Sequence, residues 1–156
     1  MGKTLIILND PPYGTERSYN GLRLAISLLK TEGEAVRVFL IGDGAACAKS
    51  GQKVPQGYYN IADMLGMVAR LGGQIGVCGT CLDARGIADA ELVEGARCST
   101  MAELTAWTRW ADKVVPFCGP AGPGRQPASN AGARAFMTRS RAWAAGWRAP
   151  ARACRP

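Results

Sequence analysis

Histidine is missing altogether from the 156 residues of this chain. Its absence removes a histidine general base, a Cys–His dyad and any His-ligated metal site from the available chemistry. The six cysteines are too few for a fold stapled by disulfides. Long apolar runs are lacking too. The opening run, residues 4–8, has the length of a strand and follows no basic leader, so neither a signal peptide nor a membrane span is read from it. These absences point to a cytoplasmic protein with reduced thiols. The last absence concerns charge: residues 118–156 hold 7 Arg and no acidic residue, whereas residues 1–117 balance 12 Lys and Arg against 12 Asp and Glu. The net charge of +7 thus lies wholly in the tail and signals no nucleic-acid surface on the rest.

The tail also lacks Leu, Ile and Val; 11 Ala, 7 Arg, 5 Gly and 5 Pro make up most of its 39 residues. Such a segment cannot bury enough apolar surface to offset its ordering entropy. The domain reading is therefore an α/β domain over residues 1–117 and a disordered tail over residues 118–156. The tail reads either as a basic arm for RNA or acidic partners, or as an extension with no selected role. Its lack of Lys and scarcity of Ser favour the second.

The first 117 residues alternate strand and helix signals. Residues 3–9 (KTLIILN) form a continuous apolar run, the pattern of a strand buried on both faces. Leu22, Ala25, Ile26 and Leu29 recur at helical spacing, so residues 18–32 read as an amphipathic helix stopped by Gly33. Residues 36–41 (VRVFLI) are the second strand, followed by a long polar connection over residues 45–59. Asn60 caps a helix whose apolar face is Ile61, Met64, Leu65, Val68 and Leu71. Residues 75–77 are the third strand and Ala96-Arg97 mark a short fourth. Thr100 and Glu103 make a capping box for a helix carrying Leu104, Trp107 and Ala111. Residues 113–117 close the sheet, with Pro116 suited to an edge or a strand end. The fold class is α/β: a Rossmann-like three-layer sandwich around a mostly parallel sheet of about five strands.

The chemistry concentrates in residues 74–86 (QIGVCGTCLDARG), where an apolar strand ends in Cys78 and a small-residue turn carries Cys81. Strand tips of this kind are where open α/β sheets place their sites. Backbone N–H groups of the following turn favour the anionic thiol. The loops after the strands share that edge, so Cys47 is expected near Cys78, with Tyr13, Glu16, Asp43 and Arg85 as polar groups around them. Three readings of the CxxC pair compete. Dithiol exchange of the thioredoxin kind uses a motif that opens a long helix, whereas Gly86 leaves room for about one turn here. Zinc binding by Cys78, Cys81, Cys98 and Cys47 lacks a second CxxC. Sulfur relay, with a persulfide carried on one cysteine, needs a thiolate with an open approach, and Cys78 before a glycine suits both needs. Arg85 would offset the charge, or pair with Asp83 at the surface.

A wider set of residues carries a resemblance. Tyr13-Gly14-x-Glu16, Asn20-x-Leu22-Arg23-Leu24-Ala25, Gly51-Gln52-Lys53, Gly57-Tyr58 with Asn60-Ile61, Met64-Leu65, Cys78-x-Thr80-Cys81-x-Asp83-x-Arg85-Gly86-Ile87, Glu103-Leu104-x-x-Trp107-Thr108 and Asp112-Lys113-Val114 resemble the DsrE/DsrF-like family in its YchN-like branch. The resemblance spans residues 1–117 in order. It implies a Rossmann-like fold assembled as homotrimers or homohexamers, and a role in cytoplasmic sulfur trafficking. It also implies that the cysteine at the end of this strand, Cys78, carries the persulfide, received from or passed to a partner protein that donates or carries sulfur. Cys81, and more remotely Cys47, would be accessory thiols. No cofactor and no metal are implied, and the turn after the first strand lacks the GxGxxG of a dinucleotide site. The competing reading is a non-catalytic oligomeric module that binds a ligand or protein, its cysteines being structural.

Overall fold

The structure, a computed structural model, describes residues 2–119. The tail expectation therefore lies, beyond Gly119, outside the described residues. The strands are β1 (Gly2–Leu8), β2 (Glu34–Leu40), β3 (Gln74–Cys78), β4 (Ala96–Ser99) and β5 (Lys113–Phe117). The helices are α1 (Arg17–Leu29), α2 (Ile61–Arg70), the single-turn α3 (Gly79–Asp83) and α4 (Met101–Trp110). These five strands pair with one another in parallel throughout, in the order β4-β3-β2-β1-β5.

That order fixes where the helices lie. Steps from β1 to β2 and from β2 to β3 run one way across the sheet, whereas the step from β4 to β5 returns to the far edge. Right-handed crossovers then put α1 and α2 on one face and α4 on the other. Side chains alternate accordingly. Ile6, Leu8, Val38, Leu40, Ile75 and Val77 pack with Leu22, Ala25, Leu65 and Val68. Leu5, Phe39 and Cys78 face the other way and pack with Leu104 and Trp107 of α4.

Local signals act where the sequence placed them. Asn60 Oδ1 accepts from the N–H groups of Ala62 and Asp63 and caps α2. The Thr100 hydroxyl accepts from Glu103 N and caps α4. The expected capping box is only half formed, because the Glu103 carboxylate turns to Arg97 and to Ser99 Oγ instead. Pro116 sits in β5, an edge strand paired to β1 alone, where a missing N–H leaves no neighbour unserved. One expectation needs correcting. The connection after β2 is not wholly polar loop: Gly42–Ala48 form a 3-10 helix with Ala45, Cys47 and Ala48 buried. Among the described residues no helix is long and apolar enough to cross a membrane.

Candidate functional site

Strand β3 delivers Cys78 to the C-terminal edge of the sheet, on the α4 face. Gly76, two residues earlier on that face, leaves space for the Trp107 indole. A Cβ there would lie 3.1 Å from Trp107 Cη2 and 3.2 Å from Phe39 Cδ2. Trp107 in turn meets Phe39 edge-on at 5.9 Å. The result is an apolar floor of Leu5, Phe39, Leu104 and Trp107 beneath Cys78, which is left 8% exposed beside the exposed Thr80.

Cys78 is also the N-cap of α3. One turn of helix brings the side chain of the third helical residue back over its cap, so the thiol of Cys81 donates to Cys78 Sγ at 2.9 Å. Thr80 Oγ1 lies 3.3 Å from the same sulfur. From the next loop, Gly42 donates its N–H to Cys81 Sγ at 3.2 Å. Its φ of 62° is one that other residues rarely adopt. Arg85 ties this arrangement to the 3-10 helix, donating Nη1 to the Cys81 carbonyl at 3.0 Å and Nη2 to Asp43.

The two thiols are driven apart electrostatically. Burial pushes the Cys78 thiol up, but hydrogen bonds from Cys81, Thr80 and the N–H groups of both residues outweigh it. Its pKa ends below the ordinary thiol value. Cys81 moves the other way. Burial raises it first and its bond to Cys78 raises it again, against the opposing pull of the Gly42 N–H and the Arg85 charge. Cys78 is thus the better acid of the pair, and Cys81 holds the proton.

Of the residues expected at this edge, Cys78, Cys81, Asp43 and Arg85 are brought together. Arg85 pairs with Asp43 and not with Asp83 across the turn. Cys47 has other partners: fully buried, it packs in the core on the α1 and α2 face and donates to the Asp10 carbonyl at 3.6 Å. Burial pushes its thiol up to about 12. Tyr13 donates to Gln52 Oε1 at 2.7 Å and accepts from Ile61 N, bracing the start of α2. Glu16 stands exposed at the N-cap of α1 and caps nothing with its side chain. Two residues that sequence reading did not place at the site touch the sulfurs, Gly42 and Thr80. Thr80 lies inside the CxxC, and Gly42 directly follows the apolar run of the second strand. Among the described residues no three Cys, Asp or Glu side chains gather in a metal-holding cluster. A cavity of about 250 Å³, lined by Glu34, Arg37, Gln74 and Trp110 among others, involves the starts of β2 and β3, away from the thiols.

A parallel Rossmann-like sheet with a thiol pair at one strand tip defines the class of protein. The chain belongs to the DsrE/DsrF-like family, whose model matches residues 2–117. It is similar to YchN of Escherichia coli K12, 41% identical over 118 residues that cover 75% of this chain and all of that protein. A protein of Methanopyrus kandleri is 37% identical over 112 residues, covering 72% of this chain and 91% of that one. The crystal structure of the E. coli YchN protein superimposes with a TM-score of 0.71, over 75% of this chain and 100% of that one. MTH1491 of Methanobacterium thermoautotrophicum, 13% identical and covering 74% and 100%, shares the fold at a TM-score of 0.59. The family is associated with sulfur relay.

Proposed function

We propose that the protein is a sulfur carrier of the sulfurtransferase type, holding a persulfide on Cys78 and exchanging it with a partner protein. The observation that carries this reading is the Cys78 sulfur itself. It stands at a strand tip, accepts hydrogen bonds that favour its thiolate, and faces an apolar floor that keeps bulk water from most of it. In loading, the Cys78 thiolate attacks the outer sulfur of a donor persulfide. The new S–S bond forms as the donor's breaks, and the donor leaves as a thiolate. Nothing is oxidised overall, so no cofactor is required. The donor or acceptor is a protein carrying a reactive thiol or persulfide, the assembly is a homotrimer or homohexamer, and the setting is the cytoplasm.

Intact mass spectrometry after incubation with a persulfide donor tests the reading, with Cys78→Ala and Cys81→Ala variants alongside. Gain of a sulfur atom by Cys81→Ala, with none gained by Cys78→Ala, is the expected result. Absence of the adduct throughout, or its survival in Cys78→Ala, would favour a binding module whose cysteines are structural.

A further inference from the structure

Taking Cys78 as the sulfur acceptor, we propose that Cys81 is its resolving thiol, so that sulfur not collected by a partner leaves as hydrosulfide and the pair closes to a disulfide. Two independent features of the geometry point there. Cys81 Sγ lies 2.9 Å from Cys78 Sγ, so closing to the ~2.05 Å of a disulfide takes a movement of only about 0.9 Å. The second feature is the Gly42 N–H, which is aimed at Cys81 Sγ and not at Cys78. A donor placed on Cys81 serves the sulfur that must shed its proton to attack. Arg85, on the Cys81 carbonyl, adds a positive charge on the same side. A thiol whose whole task was to donate to Cys78 would gain nothing from either group.

The chemistry balances without an outside oxidant. The persulfide of Cys78 carries its negative charge on the outer sulfur, one bond further from Cys81 than the Cys78 thiolate was. Cys81 attacks the inner sulfur, the Cys78–Cys81 bond forms, and the bond to the outer sulfur breaks. The outer sulfur leaves with the electron pair and takes the Cys81 proton, as HS⁻. Cys81 is oxidised by the amount the departing sulfur is reduced. A dithiol reductant then supplies two electrons and two protons to restore the pair. Proximity favours this route, because Cys78 is 8% exposed and competing thiols approach through that opening, while Cys81 is already in contact.

The test uses the full chain, reduced and then freed of reductant, and glutathione persulfide as the probe. Cleavage after Arg70 and Arg85 yields one peptide, residues 71–85, that holds Cys78 and Cys81 and no other cysteine. In the wild type this peptide should lose the mass of two hydrogens, with one hydrosulfide released per disulfide formed above a Cys78→Ser blank. Oxidised glutathione alone should close the disulfide with no hydrosulfide. In Cys81→Ser the peptide should keep the extra sulfur and release none, and Cys81→Ala serves if the serine variant fails to fold. A wild-type peptide that retains its extra sulfur as long as the Cys81 variants do would overturn the resolving role and leave the carrier reading standing. If neither the wild type nor the Cys81 variants take up sulfur or release hydrosulfide, both readings are overturned.

Discussion

Gly42 and Cys81, 39 residues apart in sequence, meet through a 3.2 Å hydrogen bond from backbone amide to thiol sulfur. The bond joins the loop after β2 to the turn after β3, so the position of the Cys81 sulfur depends on a residue outside the CxxC segment. Its donor keeps its place because Gly42 adopts a φ of 62°. Gly42→Ala should therefore strain the backbone by about 1–2 kcal/mol and turn the amide away from the sulfur. The expected outcome is a lower urea midpoint together with a Cys81 thiol pushed further up, read by the pH dependence of its alkylation. An unchanged Cys81 titration in a folded variant would show that the amide does not act on this thiol.

Thr80 is the second group on the pair, 3.3 Å from Cys78 Sγ. Its hydroxyl is among the causes that hold the Cys78 pKa below its ordinary value. Thr80→Val keeps the shape and removes the hydrogen bond, so the Cys78 pKa should rise and less thiolate should exist at neutral pH. Each unit of rise slows alkylation by about tenfold at a pH below the pKa. A rate of Cys78 alkylation at neutral pH equal to that of the wild type would remove Thr80 from the site.

The order of strands and helices was legible because apolar runs of strand length alternate with helical spacing, as in residues 36–41 and in the Ile61, Leu65, Val68 face of α2. The CxxC at a strand tip was legible for the same reason: once β3 was placed, its end was placed. What could not be read was which loop residues reach the sulfurs. The parallel sheet gathers several loops at one edge, but face and depth decide contact. Cys47 belongs to a 3-10 helix that folds under the α1 side, with Gly44 so close to the end of β1 that a Cβ would sit 2.1 Å from the Leu8 carbonyl. No periodicity announces that packing. Tyr13 and Arg85 show the same limit, since each found a partner in a neighbouring loop, Gln52 and Asp43, that sequence spacing does not reveal.

Trp107 supports the site from below. It is 3% exposed, touches Phe39 and Gly76, and is flanked by the guanidinium groups of Arg37 and Arg97 at 5.2 and 5.8 Å. Trp107→Ala should cost about 3–5 kcal/mol, the range for removing a buried large aromatic side chain. It should also let water reach Cys78 from the α4 side. Urea denaturation gives the first effect, and faster alkylation of Cys78 in the still-folded variant gives the second. A loss below about 1 kcal/mol would mean that α4 is not the floor of the site.

Cys47 makes a prediction about alkaline pH. Its folded thiol is pushed up to about 12 by burial, against about 8.5 for an unfolded cysteine. Between those values the unfolded chain releases a proton that the folded chain keeps, so stability falls as pH rises through this window. Below about 8.5 both states hold the proton and the residue adds no pH dependence. Cys47→Ala should cost about 1 kcal/mol in lost packing at neutral pH but flatten the alkaline limb relative to the wild type. The comparison isolates Cys47, because every other group titrating in that range is common to both chains. Urea midpoints measured at neutral and alkaline pH decide it: parallel curves would mean that the thiol already ionises in the folded state, and that Cys47 is less enclosed than its packing against the Asp10 carbonyl indicates.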